Sequence, residues 1–290
     1  MRSGLSSFGP GFLARHPVAG FLAFSHGWTW GFWAVAALLA SGGGSVWSGL
    51  ALSAFLVGGA GIVLGAVVMA GATQGRAGLV RLGRSNIDPR PLGLWHWAVA
   101  LGLYPGLTLL AGAILLATGQ GSGLAGGIGA PGWGALLVTA LFLLLIGPLP
   151  EEIGWRGYLL DRLLPRLGVV VASLTLALIW WSWHIPLHLL PGYFDAFEGG
   201  GPHLLYQLAG LIPASILLGW IYVSAGRSIF AAIVLHWSGN MTGQLLQPDD
   251  SLRLIRLGLE LAAAGAVLLL WWRTPPGARA KSTLDRAPLP

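Results

Sequence analysis

Pro150 and two adjacent glutamates, Glu151 and Glu152, directly follow the apolar run Leu136–Leu149, and Arg156 stands four residues after the second glutamate. A charge at membrane depth costs about 2.5–3.5 kcal/mol or more, so such a residue normally faces a protein interior and serves a purpose there. On a helix, Glu152 and Arg156 share a face and can pair. Glu151 points about 100° away, so spacing alone does not lock it into that pair. One carboxylate is then structural while the other is free for proton chemistry. The plainer alternative is an interfacial cap, with Pro150 presetting φ at the helix start and the acids favoured by the dipole.

Two further places carry polar groups inside apolar runs. In the first, Val169–Ile179 leads into Trp180, Trp181, Trp183 and His184. Trp180 and His184 are four apart and share a face. The alternative reading is an interfacial belt, which fits His188 and the tryptophans well. In the second, His236 and Asn240 share a face within a span that begins at Ile229. Both can donate hydrogen bonds without carrying charge, and the alternative is polar glue between helices. His16, His26, His96 and His203 lie near span ends and read as interfacial. Asp161, Arg162 and Arg166 read as a solvated face. Gln207, Gln244 and Ser238 give no pattern. There is no His-Glu-x-x-His zinc-protease signature, no Gly-x-Ser-x-Gly elbow, and no Cys to act as nucleophile or thiolate ligand.

The elements that must position these residues are membrane spans. Of 290 residues, 55% are hydrophobic and only 9% charged, against about 25% charged in soluble domains. Lipid tolerates such a surface. The 15 Trp fit membrane–water interfaces, and the 46 Gly suit close helix packing. The net charge of +6 is spread between apolar runs and reads as a topology signal rather than nucleic-acid binding. With about 20 apolar residues needed per crossing, the expectation is all-α: a polytopic transmembrane helical bundle of about eight spans around an intramembrane catalytic cavity. The spans fall near 18–40, 46–72, 95–118, 133–149, 168–190, 204–224, 228–247 and 254–272. They form a single transmembrane domain, 1–273, with the polar motifs in a core of about 135–247 and a disordered tail at 274–290. The first span reads as uncleaved, being longer than a signal-peptide core. The 73–94 loop, with Arg76, Arg81, Arg84 and Arg90, should be cytoplasmic. Both termini are then inside, and the acidic 191–203 loop is outside.

Taken in order, Glu151-Glu152-x-x-x-Arg156, Trp180-x-x-x-His184 and His236-x-x-x-Asn240 resemble the motifs of the CPBP family of intramembrane proteases. That group holds CAAX prenyl endopeptidases and bacteriocin-processing or immunity proteins. Its patterns are Glu-Glu-x-x-x-Arg, Phe-x-x-x-His and His-x-x-x-Asn/Asp; here Trp180 replaces Phe. The resemblance covers about 135–245 and implies an endopeptidase. Glu151 would activate water with His184, His236 and Asn240 would donate to the oxyanion, and Glu152 and Arg156 would fix the first helix. A metal version is also open, with Glu151, His184 and His236 as zinc ligands and one position left for water; the metal-free version is favoured. The implied substrate is a peptide or membrane-associated protein, prenylated or leader-bearing, met in a lipid bilayer, in a multi-pass protein of the bacterial plasma membrane. Two other functions fit the same residues: a non-catalytic immunity or regulatory protein, and a proton-coupled transporter using the Glu and His residues as a relay.

Overall fold

The structure is a computed structural model and describes residues 10–124, 133–194 and 204–273. Its helices are α1 (Pro10–Arg15), α2 (Pro17–Ala40), α3 (Gly49–Gly59), α4 (Gly61–Ile87), α5 (Leu94–Ala117), α6 (Trp133–Ile146) and α7 (Pro148–Gly154). A π-helical segment, Trp155–Leu160, joins α7 to α8 (Asp161–His184), and a 3₁₀ turn, Ile185–Leu189, follows. α9 (Leu204–Ser224), α10 (Ile229–Leu246) and α11 (Asp250–Arg273) complete the described chain. The only pairing of β type among the described residues is an isolated bridge between Leu124 and Pro248. The molecule is an all-α bundle, as its apolar runs predict.

Among the described residues, five helical stretches are long and apolar enough to cross a membrane: Gly49–Ile87, Leu94–Ala117, Trp133–Leu189, Leu204–Ser224 and Asp250–Trp272. The third contains two of the expected spans, 133–149 and 168–190. The remaining two, 18–40 and 228–247, form α2 and α10. These fall outside that apolar class because polar residues interrupt them: Ser25, His26 and Thr29 in one, His236, Asn240 and Gln244 in the other.

Three boundaries differ from expectation. Span 46–72 is two helices, α3 and α4, that meet at Ala60. The expected 73–94 loop is mostly helix: α4 bends at Gly75, whose φ of 61° suits glycine, and runs on to Ile87. This last part holds because Gly78 and Leu82 stay buried while Arg76, Arg81 and Arg84 face outwards. In the short link that remains, a hydrogen bond from the Arg90 side chain lowers the Asp88 pKa to about 2. The third difference is that α7 starts at Pro148, two residues before Pro150, with Gly147 as its N-cap.

The face expected to be solvated is partly an ion pair. Asp161 Oδ1 accepts from Arg227 at 2.8 Å and from the Tyr222 hydroxyl at 3.3 Å. The Arg162 guanidinium lies 3.4 Å over the Tyr158 ring; Arg166 is exposed. Asp195, Glu198 and His203, most of the Gly-rich 119–132 stretch, and the tail 274–290 lie outside the described residues.

The motif-bearing helices are fixed from the N-terminal side. Phe21 of α2 stacks on Tyr158 at 5.1 Å and meets Trp155 edge-on at 6.0 Å. Gly154 lets α7 approach α4 so closely that a Cβ there would stand 2.7 Å from the Ile62 side chain. The π-helical turn that follows carries Arg156, and such turns re-aim side chains by inserting a residue into the helix.

Candidate active site

α7 delivers Glu151 and Glu152, the last turns of α8 deliver Trp180 and His184, and the middle of α10 delivers His236 and Asn240. Glu151, Trp180, His184, His236 and Asn240 all line one cavity of about 1230 Å³. That exceeds the roughly 300–1,000 Å³ of most small-molecule pockets. Part of its wall is apolar, from Trp33, Phe55, Val63 and Leu187.

The two carboxylates have separate partners, as their 100° offset predicts. Glu152 is fully buried; its Oε1 accepts from Arg156 Nη1 at 2.9 Å and lies 2.8 Å from His236 Nδ1. Glu151 is 7% exposed, and its Oε2 accepts from the Trp180 indole N–H at 2.7 Å. Arg156 is also fully buried. Its Nε and Nη2, and Oε2 of Glu152, have no hydrogen-bond partner. The Arg156 guanidinium instead sits 4.6 Å from the centre of the Trp180 ring, where the π face offsets part of its lost hydration. His236 meets the same ring edge-on at 5.4 Å.

These contacts fix where protons reside. His184 Nδ1 lies 2.8 Å from the Trp180 carbonyl oxygen. A carbonyl only accepts, so Nδ1 carries the hydrogen and the neutral ring presents a lone pair at Nε2. His236 Nδ1 faces a carboxylate and likewise donates. His236 can therefore donate from Nε2 only when its ring holds both protons. Asn240 Nδ2 and Glu151 Oε1 lie 3.5 and 3.7 Å from the point a Cβ on Gly147 would occupy, so the amide and the second carboxylate oxygen flank one small space.

Among the described residues, no three His, Asp or Glu side chains come together as metal ligands. As they stand, Glu151, His184 and His236 are not grouped as the ligands of a zinc centre.

The aromatic patch is not an interfacial belt. Trp180 and Trp183 are 3% and 4% exposed, and the Trp181 N–H donates to Leu204 O at 2.9 Å. They are drawn inward because α8 packs between α9 and the α7–π segment. His188 is half-buried and lies 3.2 Å from Gln207 Oε1. His96 is buried at the start of α5, where its Nδ1 accepts from Gly93 N. His26 lies within α2, beside Ser25 and Ser182; His16 is exposed at the start of that helix.

Some lining residues carried no usable signal. Tyr104 of α5 reaches the cavity and packs against Gly239, where a Cβ would stand 2.9 Å from its ring. Gln207 and Gln244 also line it, while Ser238 donates to Leu101 O. Arg256 and Glu260 of α11 reach the same cavity as an ion pair at 3.1 Å. Their four-residue spacing was the available clue, hidden because Arg256 reads equally well as a helix-end charge.

Residues 133–242 match the family model described as type II CAAX prenyl endopeptidase Rce1-like. A protein named CAAX prenyl protease 2, from Methanococcus maripaludis, is 31% identical over 135 residues, which is 46% of this chain and 49% of the relative. The chain thus spans about half the length of the curated relative it matches.

Proposed function

We propose that this protein, whose residues 133–242 match the type II CAAX prenyl endopeptidase family model, is an intramembrane endopeptidase that hydrolyses a peptide bond without a metal. One observation carries the reading. Glu151 has one oxygen tied to Trp180 and the other turned to the space beside the Asn240 amide, in the cavity that also holds His184 and His236.

In the proposed reaction, a water molecule beside Gly147 gives a proton to Glu151 Oε1 and its oxygen attacks the scissile carbonyl. The His184 Nε2 lone pair accepts from the same water and orients it. Asn240 Nδ2 donates to the developing oxyanion. His236 adds a second donor from Nε2 when its ring holds both protons, with Nδ1 donating to Glu152 Oε1. Collapse of the tetrahedral intermediate breaks the C–N bond, and the proton held by Glu151 passes to the leaving amine. Water is consumed, and a carboxylic acid and an amine are released.

The substrate is a peptide or membrane-associated protein. The relative's name directs attention to a prenylated C-terminal segment, and the apolar wall at Trp33, Phe55, Val63 and Leu187 suits a lipidated chain. The excess of Arg in α4 supports a topology in which the Glu151 end of the cavity and both termini face the cytoplasm of a bacterial plasma membrane.

The test is cleavage of farnesylated CAAX-type and leader-type peptides by the reconstituted protein, read by mass spectrometry with and without a strong zinc chelator. Glu151→Gln should lower turnover by about 10²–10⁴-fold, and Asn240→Ala by about 10²–10³-fold. Cleavage should survive the chelator. Loss under chelator with rescue by zinc would replace this mechanism by a metal one. Wild-type cleavage by Glu151→Gln would sink it.

A further inference from the structure

We propose that Trp180 is the positioning residue for Glu151, with its indole N–H tying down one carboxylate oxygen so that the other faces the reacting water. The inference rests on the endopeptidase reading for its catalytic half and on geometry for the rest.

A glutamate carboxylate has two equivalent oxygens on a side chain with three rotatable bonds. An unrestrained Glu151 would present either oxygen, in several orientations, to the cavity. Here the two oxygens differ. Oε2 accepts the Trp180 N–H at 2.7 Å, while Oε1 looks towards Gly147 and Asn240. Charge-assisted hydrogen bonds of this length are short and directional.

Trp180 can serve as an anchor because it is itself immobilised. It is 3% exposed, with the Arg156 guanidinium over its ring and the His236 ring against its edge. Its carbonyl oxygen holds His184 Nδ1 at 2.8 Å. One residue therefore touches all three motifs: Glu151 through its N–H, Arg156 and His236 through its ring, and His184 through its backbone. A phenylalanine in this place, the residue of the family pattern, would keep the ring contacts and offer no donor. The tryptophan thus adds to this chain a restraint on the base that the aromatic ring alone does not provide.

Two measurements test this, and they fail separately. The first reads the bond itself. In nanodisc-embedded protein labelled with ¹⁵N at the indole nitrogens, the Trp180 resonance is assigned by its loss when residue 180 is replaced by 3-benzothienylalanine. That analogue keeps the bicyclic shape with sulfur in place of N–H. The Trp180 resonance should lie downfield and move upfield in Glu151→Ala; a resonance that ignores Glu151→Ala overturns the proposal, whatever any peptide does.

The second reads catalysis of a farnesylated CAAX-type peptide. The benzothienyl variant, and Trp180→Phe if it folds, should lose about 10- to 100-fold in kcat, the range of a hydrogen bond to a charged group, with KM within about twofold of wild type. A purely packing role would leave the benzothienyl variant at wild-type kcat, and that result overturns the positioning role. Full cleavage by Glu151→Gln would instead remove Glu151 as the base and fail the endopeptidase mechanism, while the indole shift still decides the hydrogen bond.

Discussion

His236 and Arg156 meet on a single oxygen: Nδ1 of the histidine and Nη1 of the arginine lie 2.8 and 2.9 Å from Oε1 of Glu152. The carboxylate that spacing marks as structural is therefore also the group that sets the tautomer of a cavity histidine. Glu152→Gln keeps the shape, removes the charge, and leaves His236 Nδ1 and Arg156 Nη1 to share a neutral amide oxygen, which loosens the hold on His236. Turnover should fall about 10- to 100-fold, as for loss of a hydrogen bond to a charged group, with KM little changed. Steady-state kinetics in detergent, alongside a thermal melt, checks this. Unaltered kcat would mean that the Glu152 charge is not needed to hold His236 in place.

Arg156 is buried with only part of its donor set used. Removing one partner of a buried ion pair leaves an uncompensated charge and costs about 3–5 kcal/mol. Arg156→Ala should therefore lower the melting temperature markedly. The double variant Glu152→Met/Arg156→Met, which removes both charges, should regain much of that stability while staying inactive. A double variant as unstable as Arg156→Ala would show that packing, not uncompensated charge, dominates the loss.

Much of this arrangement was legible in the chain. The offset between Glu151 and Glu152, and the pairing of the latter with Arg156, follow from helical spacing. Helix–helix contacts do not follow from it. Nothing in the spacing of Trp180 told whether its N–H would face lipid headgroups or a carboxylate 29 residues earlier. The same holds for Tyr104 and Gly147, whose roles arise only when α5, α6 and α10 come together. Polar residues in α2 and α10 made those helices less apolar than the others, which is the signature of helices that line or support a cavity rather than face lipid.

The close approach of α7 to α4 gives a stability prediction independent of chemistry. A Cβ at Gly154 would stand 2.7 Å from Ile62 Cγ1 and 3.1 Å from the Ile62 carbonyl oxygen. The side chain can rotate away, but the backbone oxygen cannot. Gly154→Ala should destabilise by about 1–3 kcal/mol, the usual cost of overpacking. Gly31→Ala on α2, where nothing lies within 4 Å, is the control and should be neutral or slightly stabilising. Equal melting temperatures for the two variants would mean that the helices separate readily.

Gly147 separates occupancy of the reaction space from integrity of the fold. A methyl group there would lie 3.5 Å from Asn240 Nδ2 and from Leu143 O, and 3.7 Å from Glu151 Oε1. These are ordinary van der Waals distances, so the neighbours need not move and the melting temperature of Gly147→Ala should stay near wild type. The methyl would nevertheless fill the space between the base and the amide, where the mechanism puts the water and the scissile carbonyl. Displacing reactants by about 1 Å can cost 10²-fold, and turnover of a cleaved peptide should fall by about that much. Glu151 and Asn240 would keep their side chains and their partners, so a folded, inactive Gly147→Ala variant isolates the space itself as the requirement. Undiminished turnover with the methyl in place would move the scissile bond to another part of the cavity and leave the Asn240 amide without an oxyanion to bind.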